Sequence, residues 1–307
     1  MKFSILIPTR NFAPVKLIQA FDEQCRRISL ENKGFDYEII VADDASTDTT
    51  CLELLHEVFD ANDNVVIQAY SENLGRAVIR NRLVEMAHGE LILFSDSDAL
   101  PADDSFISKM LLHAEEADVI CPMLTNPQLF DDRGCELRYR YELQAEQSGR
   151  RDWRFCNLQP YERFSTFCFM TRRAIMQQHK LCESLTLYGY EDVLLGKSFE
   201  KNHISVKYVD VKLVHMGIND NRTFLLHTNQ AMQNLVSMQR DFSFNTPVVA
   251  AYKKLKRYGL TGSFTLLFSF FKPHLVRNLL GNSPNLRLFK IYKLGVFCEE
   301  LRKISKR

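Results

Sequence analysis

The chain has 307 residues, 46% hydrophobic and 25% charged, with a formal net charge of +1; such a length and apolar content exclude a mainly disordered chain and suit one large α/β domain with an appended tail, or two modest domains. The balanced charge hides an asymmetry: Ala250 to Arg307 holds 13 Lys and Arg against two acids, Glu299 and Glu300, leaving 26 of the 39 basic and 36 of the 38 acidic residues for the rest. A basic tail points to an anionic partner, a membrane surface or nucleic acid, and the acidic main body without basic-aromatic RNA motifs weighs against nucleic acid.

The elements read in order as follows. Phe3 to Ile7 is a short apolar strand ended by Pro8. Val15 to Ile28 has helical spacing, and Tyr37 to Ala42 is a second buried strand. Thr47 to Phe59 reads as a helix capped by Ser46 or Thr47. Val65 to Ala69 is a strand, Gly75 to Ala87 a helix and Glu90 to Phe94 a fourth strand. Continuous apolar strands alternating with helices predict a mostly parallel sheet flanked by helices, a Rossmann-like α/β fold. Phe106 to Ala117 then looks helical and Asp118 to Cys121 extended, while Thr125 to Ser165 is polar, aromatic and irregular, as substrate loops are. Thr166 to Thr171 resumes as a strand, Glu191 to Lys201 as a helix and Val206 to Val214 as a strand or hairpin edge. From Asn219 the pattern is helical, with Thr223 to Arg240 amphipathic, and beyond Pro247 it turns basic and aromatic. The expected division is 1–218 as the catalytic domain and 219–307 as a basic helical C-terminal region.

None of the eight cysteines (Cys25, Cys51, Cys121, Cys135, Cys156, Cys168, Cys182 and Cys298) forms a CxxC pair, so reduced thiols of a cytosolic protein are expected rather than disulfides or a zinc site. The opening strand lacks the length and cleavage site of a signal peptide. The longest charge-free stretch of the tail, Tyr258 to Phe271, has 14 residues, short of the ~20 a spanning helix needs. The expected location is therefore the cytoplasm, with the tail on the inner face of the membrane as one option and packing on the rest of the protein as the other.

Four features bear chemistry. Asp96 and Asp98 end the fourth strand with Ser97 between them; carboxylates at such an end need a cation to offset their repulsion, and hard divalent cations bridge oxygen ligands to phosphates. An Asp-rich turn is the plainer reading. Asp43 and Asp44 end the second strand, where a carboxylate can accept from a base N–H, or serve a turn. Tyr188-Gly189-Tyr190-Glu191-Asp192 places two acids at a helix start, which the helix dipole also favours unaided. His215 follows a strand, as a structural imidazole or a further metal ligand.

Together these features resemble family 2 glycosyltransferases of the GT-A fold. The resemblance runs through Ser4-Ile-Leu-Ile-Pro8-Thr-Arg-Asn11, the acidic turn Asp43 to Asp48, Asn73-Leu-Gly75-Arg76 to Arg80-Asn81, the DxD of Asp96-Ser97-Asp98, and Gly189-Tyr-Glu191-Asp192. It covers roughly residues 1 to 217. It implies an inverting, metal-dependent transfer of sugar from a nucleotide-sugar, UDP-linked by expectation, to a hydroxyl of a glycan or lipid-linked acceptor in surface polysaccharide synthesis. By the same resemblance Asp43 or Asp44 contacts the base, Pro8, Thr9, Arg10 and Arg80 lie along the nucleotide, Asp96 and Ser97 face the ribose and sugar, and Asp98 with His215 binds Mn²⁺ or Mg²⁺. Asp192 is the implied general base and Glu191 orients the acceptor. Tyr188 and Tyr190 stand where the family often has a tryptophan, which leaves the acceptor open. The alternatives are a nucleotidyltransferase, against which the absence of glycine from Ile5 to Asn11 counts, and a non-catalytic nucleotide-sugar-binding module.

Overall fold

A computed structural model describes residues 2–127, 133–238 and 246–305. These residues form two compact units. One comprises 2–127, 145–186 and 191–217; the other comprises 133–144, 187–190 and the described residues from 218 onward.

In chain order the first unit begins with β1 (Lys2–Thr9), α1 (Val15–Glu31), β2 (Asp36–Asp43), α2 (Thr49–Phe59), β3 (Val65–Ala69), α3 (Arg76–Met86), β4 (Leu91–Ser95), β5 (Ala99–Pro101), α4 (Phe106–Leu112) and β6 (Val119–Thr125). After α5 (Glu136–Gln147), most of which belongs to the second unit, come α6 (Trp153–Cys156), α7 (Pro160–Arg163), β7 (Cys168–Arg172), α8 (Arg173–Gln178), α9 (Glu191–Lys201) and β8 (Val206–His215). The strands form one sheet in the order β3-β2-β1-β4-β7-β6-β8-β5. Neighbours β1/β2, β1/β4, β2/β3 and β6/β8 are parallel, and β4/β7, β6/β7 and β5/β8 antiparallel.

Alternation along each strand explains why helices cover both faces. Phe3, Ile5 and Ile7 of β1 pack with Ile39 and Val41 of β2 against Leu17, Ile18 and Phe21 of α1. Leu6, Ile40, Ile92 and Phe94 point the other way, onto Ala77, Ile79, Leu83 and Val84 of α3. Each large side chain so buried contributes about 1.5–3 kcal/mol.

Several boundaries differ from the expected ones. The cap of α2 is Asp48, whose carboxylate accepts from Thr50 N at 3.1 Å, rather than Ser46 or Thr47; Asn11 already engages both of those residues from the neighbouring loop. Helix α4 stops at Leu112, where His113 N turns back to Met110 O at 3.1 Å, so the expected stretch to Ala117 is not helical throughout. The region expected to be irregular carries α5, α6 and α7. Strand β5, only three residues long, has no counterpart among the expected elements.

The second unit gathers α5, α10 (Asn221–Met238), α11 (Pro247–Arg257), α12 (Thr261–Leu279) and α13 (Leu286–Ser305). Gln239 and Arg240, the end of the expected amphipathic helix, lie outside the described residues. Thr246 caps α11 by accepting from Val249 N at 3.3 Å, with Pro247 at the first helical position. Phe268, Leu275 and Leu279 of α12 and Phe289, Tyr292, Val296 and Phe297 of α13 are buried. The two helices meet at Gly295, where a Cβ would lie 2.1 Å from the Phe268 ring. Only hydrogen fits there.

Candidate active site

Parallel register brings the carboxyl ends of β1, β2 and β4 to one edge of the sheet: Thr9 pairs with Asp43, and Leu6 with Phe94. Pro8 sits in β1 opposite Ala42. Thr9 O accepts from Asp44 N at 2.9 Å, and Thr9 Oγ1 donates to Phe12 O at 2.5 Å. Arg10 is exposed at the rim. Beyond it Asn11 adopts a left-handed φ of 53°, and its Oδ1 accepts from Thr47 N at 2.7 Å and Asp48 N at 3.2 Å. An asparagine carries that φ at little cost because its short amide bonds locally. The loops after β1 and β2 are thereby tied together.

Asp43 and Asp44 are both buried. Asp43 accepts from Ser46 N at 3.0 Å and from Ser46 Oγ. Asp44 accepts from Leu74 N at 2.6 Å and Gly75 N at 3.1 Å, securing the approach to α3. A carboxylate offers about four acceptor sites, so with two bonds each Asp43 and Asp44 both keep capacity for a base N–H.

The acids after β4 have different partners. Asp96 N donates to Phe167 O at 2.7 Å, fixing the strand end. The Asp96 carboxylate lies between two arginines of α3, paired with Arg80 and, at 3.6 Å, with Arg76. Arg80, expected along a nucleotide, is 2% exposed; it also donates to Arg76 O at 3.1 Å. Arg76 continues the chain of charges to Glu191 through Nε at 2.6 Å. Arg76 and Arg80 are four apart on one helix face, a spacing visible in the sequence, yet Arg76 was given no role there.

Asp98 is set by β5. Ala99 pairs with His215 across the antiparallel β5/β8 ladder, and Met216 N donates to Asp98 O at 2.8 Å. His215, 5% exposed, then lies with Nε2 3.2 Å from Asp98 Oδ2 although 117 residues separate them. Gly217 closes this corner: a Cβ there would lie 2.2 Å from Asp98 Oδ2 and 2.4 Å from Asp98 Cβ. No sequence signal marked Gly217 beyond its place two residues after the histidine. Among the described residues no three His, Cys, Asp or Glu side chains converge on one metal position. A carboxylate oxygen and an imidazole nitrogen set this close have the donor chemistry that a divalent ion such as Mn²⁺ takes, and these two residues would hold it. Ser97, between the two acids, is half-buried.

Glu191 and Asp192 occupy the first turn of α9, where the helix dipole favours anions. They differ in environment. Burial acts to raise the Glu191 carboxyl, but the Arg76 guanidinium, with Arg80 behind it, holds it below the ordinary range. Its Oε2 is buried without a hydrogen-bond partner among the described residues. Asp192 is pushed up to about 6 by burial and by the adjacent Glu191 charge. A carboxylate raised toward neutrality is a stronger proton acceptor. Two carboxyls side by side with opposite shifts mark a division of roles.

The structure thus joins Arg80, Asp96, Arg76 and Glu191 in one charged chain, sets Asp98 against His215, and keeps Pro8, Thr9, Arg10, Asp43 and Asp44 in the neighbouring corner of the sheet edge. The model of the family described as Glycosyl transferase family 2 matches residues 4–178. The chain is 33% identical over 122 residues to the glycosyltransferase YfnE of Bacillus subtilis, described as uncharacterized, covering 39% of this chain and 29% of that protein. It is 38% identical over 102 residues to the poly(ribitol-phosphate) beta-glucosyltransferase of Bacillus spizizenii, covering 32% of this chain and 15% of that protein. The aligned regions therefore span under a third of these relatives' own lengths. Among solved structures, residues 1–349 of S. aureus TarS in complex with UDP-GlcNAc superpose with a TM-score of 0.52 at 17% identity, covering 100% of this chain and 91% of that one. That likeness is one of fold.

Proposed function

The chain belongs to glycosyl transferase family 2, and from that premise we propose that it moves a sugar from a UDP-linked donor to a hydroxyl of a glycan or lipid-linked acceptor, with inversion at the anomeric carbon. The observation that carries the proposal is the convergence at one sheet edge of Asp98 with His215 at 3.2 Å and of the Arg80–Asp96–Arg76–Glu191 chain leading to Asp192. The solved relative of the same fold that holds UDP-GlcNAc supports a uridine diphosphate donor. The poly(ribitol-phosphate) glycosyltransferase relative supports a surface-polymer acceptor.

On this reading Asp43 or Asp44 receives the base N–H, Thr9 and Arg10 line the nucleotide, and Asp96, held by its two arginines, faces the ribose and sugar. Asp98 and His215 would hold Mn²⁺ or Mg²⁺, which when bound would offset the charge developing on the departing diphosphate. Glu191, held by Arg76, orients the acceptor. Asp192 takes the proton of the attacking hydroxyl as its oxygen closes on the anomeric carbon. A single displacement inverts the centre. We assign the work to the inner face of the cell membrane; among the described residues no helix is long and apolar enough to cross it.

A thermal-shift screen of nucleotide sugars with and without Mn²⁺ tests the proposal. One or more UDP-sugars raise the melting temperature, and Mn²⁺ deepens the shift. A screen in which no nucleotide sugar binds, with or without Mn²⁺, rejects it.

A further inference from the structure

Helix α12 has two apolar faces and uses one. Thr265, Phe268, Leu275 and Leu279 are buried, with Phe268 pressed onto α13 at Gly295. Leu266, Leu267, Phe270 and Phe271, at spacings of one, four and five, form a stripe on the other side. They are 70%, 58%, 73% and 50% exposed. Tyr258 and Leu260, just before the helix, are exposed as well. Isolated exposed leucines are ordinary, but adjoining large apolar side chains on one helix face mark an interaction site.

The charge around the stripe says what it meets. Lys253, Lys254, Lys256 and Arg257, all exposed, close α11 immediately before the stripe. From Thr246 to Cys298 the sequence has nine Lys and Arg and no acid. The two acids that follow are engaged, Glu299 by Lys272 at 2.7 Å and Glu300 by Lys303 at 2.6 Å. An apolar stripe preceded by a cluster of exposed cations, with the acid nearest it already paired to Lys272, matches a surface that is anionic outside and apolar beneath. A second copy does not satisfy this, because a two-fold contact sets the same cations against themselves.

We propose that the α12 stripe and the basic end of α11 form a docking surface for a bilayer containing anionic lipid, with α12 lying in the plane of the interface. The leucines and phenylalanines enter the headgroup boundary, while the lysines and arginine stay in the headgroup layer. Neither signal is strong alone, and the two together give stable but reversible attachment. This surface is independent of the transfer chemistry, so its failure would leave the proposed sugar transfer standing and remove only the assignment to the membrane face, and failure of the transfer reading would leave the docking surface standing.

The test is flotation of the full chain with vesicles of phosphatidylcholine alone and of phosphatidylcholine mixed with phosphatidylglycerol. The chain is expected to float with the mixed vesicles, to stay behind with the neutral ones, and to be released by salt. A Leu266→Ser/Phe270→Ser variant loses flotation, and each Lys or Arg of the α11 cluster changed to Gln lowers the partition constant about fivefold. Since these side chains are exposed, both variants should keep the parent's circular dichroism spectrum. A Phe270→Trp variant supplies a second readout, its emission moving to shorter wavelength on mixed vesicles only. Absence of flotation with either vesicle, variants that float like the parent, or a dimer that Phe270→Ser converts to monomer would overturn the proposal.

Discussion

Arg80→Met isolates the part of the site that the structure makes most costly to break. Methionine keeps most of the apolar stem and removes the guanidinium. Asp96 then loses its buried partner, Arg76 O loses a donor, and Arg76 must serve both Asp96 and Glu191. Breaking a fully buried ion pair costs about 3–5 kcal/mol. The Asp96 side chain keeps 18% exposure and retains Arg76 at 3.6 Å, which lowers the expected loss to about 2 kcal/mol. For a unit of this size that corresponds to a fall in melting temperature of about 4–8 °C. The assay is urea unfolding followed by the fluorescence of Trp153, the sole tryptophan, which lies in the same unit. Asp96→Asn and the double variant complete a cycle whose coupling energy is expected to be about 1–2 kcal/mol. Additivity within about 0.3 kcal/mol would refute the reasoning, since two residues that do not interact behave in that way.

Asp192→Asn is expected to abolish sugar transfer while leaving UDP affinity within about twofold of the parent; a loss of donor affinity with normal turnover would refute a general-base role. Because the Asp192 carboxyl is raised in the folded chain, its ionised form costs stability, a cost relieved as pH falls through about 6, so this variant should also melt higher than the parent above pH 7. In the parent, turnover should rise with pH through an apparent midpoint near 6, since below it the protonated carboxyl cannot take a proton; a flat profile from about two units below that midpoint to about two above speaks against Asp192 as the base. Gly217→Ala should cost about 1–3 kcal/mol as its methyl forces the Asp98 carboxylate aside, and should reduce the Mn²⁺-dependent gain in UDP affinity measured by calorimetry. An unchanged metal-dependent gain would show that Gly217 does not hold Asp98 in place.

The part of the sheet built from β1, β2 and β4 was legible because strands buried on both faces must be continuously apolar. The acids at their ends were legible because nothing apolar explains them. β5 was not, since three residues carry no periodicity, and yet its pairing of Ala99 with His215 is what brings Asp98 to the imidazole. The bonds from Leu74 N and Gly75 N to the Asp44 oxygens, which tie that acid to the start of α3, were not legible, since they form only when the two loops come together. Arg76 stands four residues before Arg80 in plain sight, but its bond to Glu191 spans 115 residues and needs the tertiary fold. Helix α5 was hidden for a similar reason. Its sequence is largely polar, and its holdfasts are the Arg138–Glu142 pair and the contacts of Arg138 and Tyr141 with Phe224 of α10.

The account stands on Asp98 and His215 together holding a divalent ion against a diphosphate. Anomalous diffraction from crystals soaked in Mn²⁺ and UDP tests this directly. A peak touching both Asp98 Oδ2 and His215 Nε2, with diphosphate oxygens completing its shell, is the expected result. UDP bound with no anomalous peak, and the Asp98–His215 contact still at 3.2 Å, would contradict it.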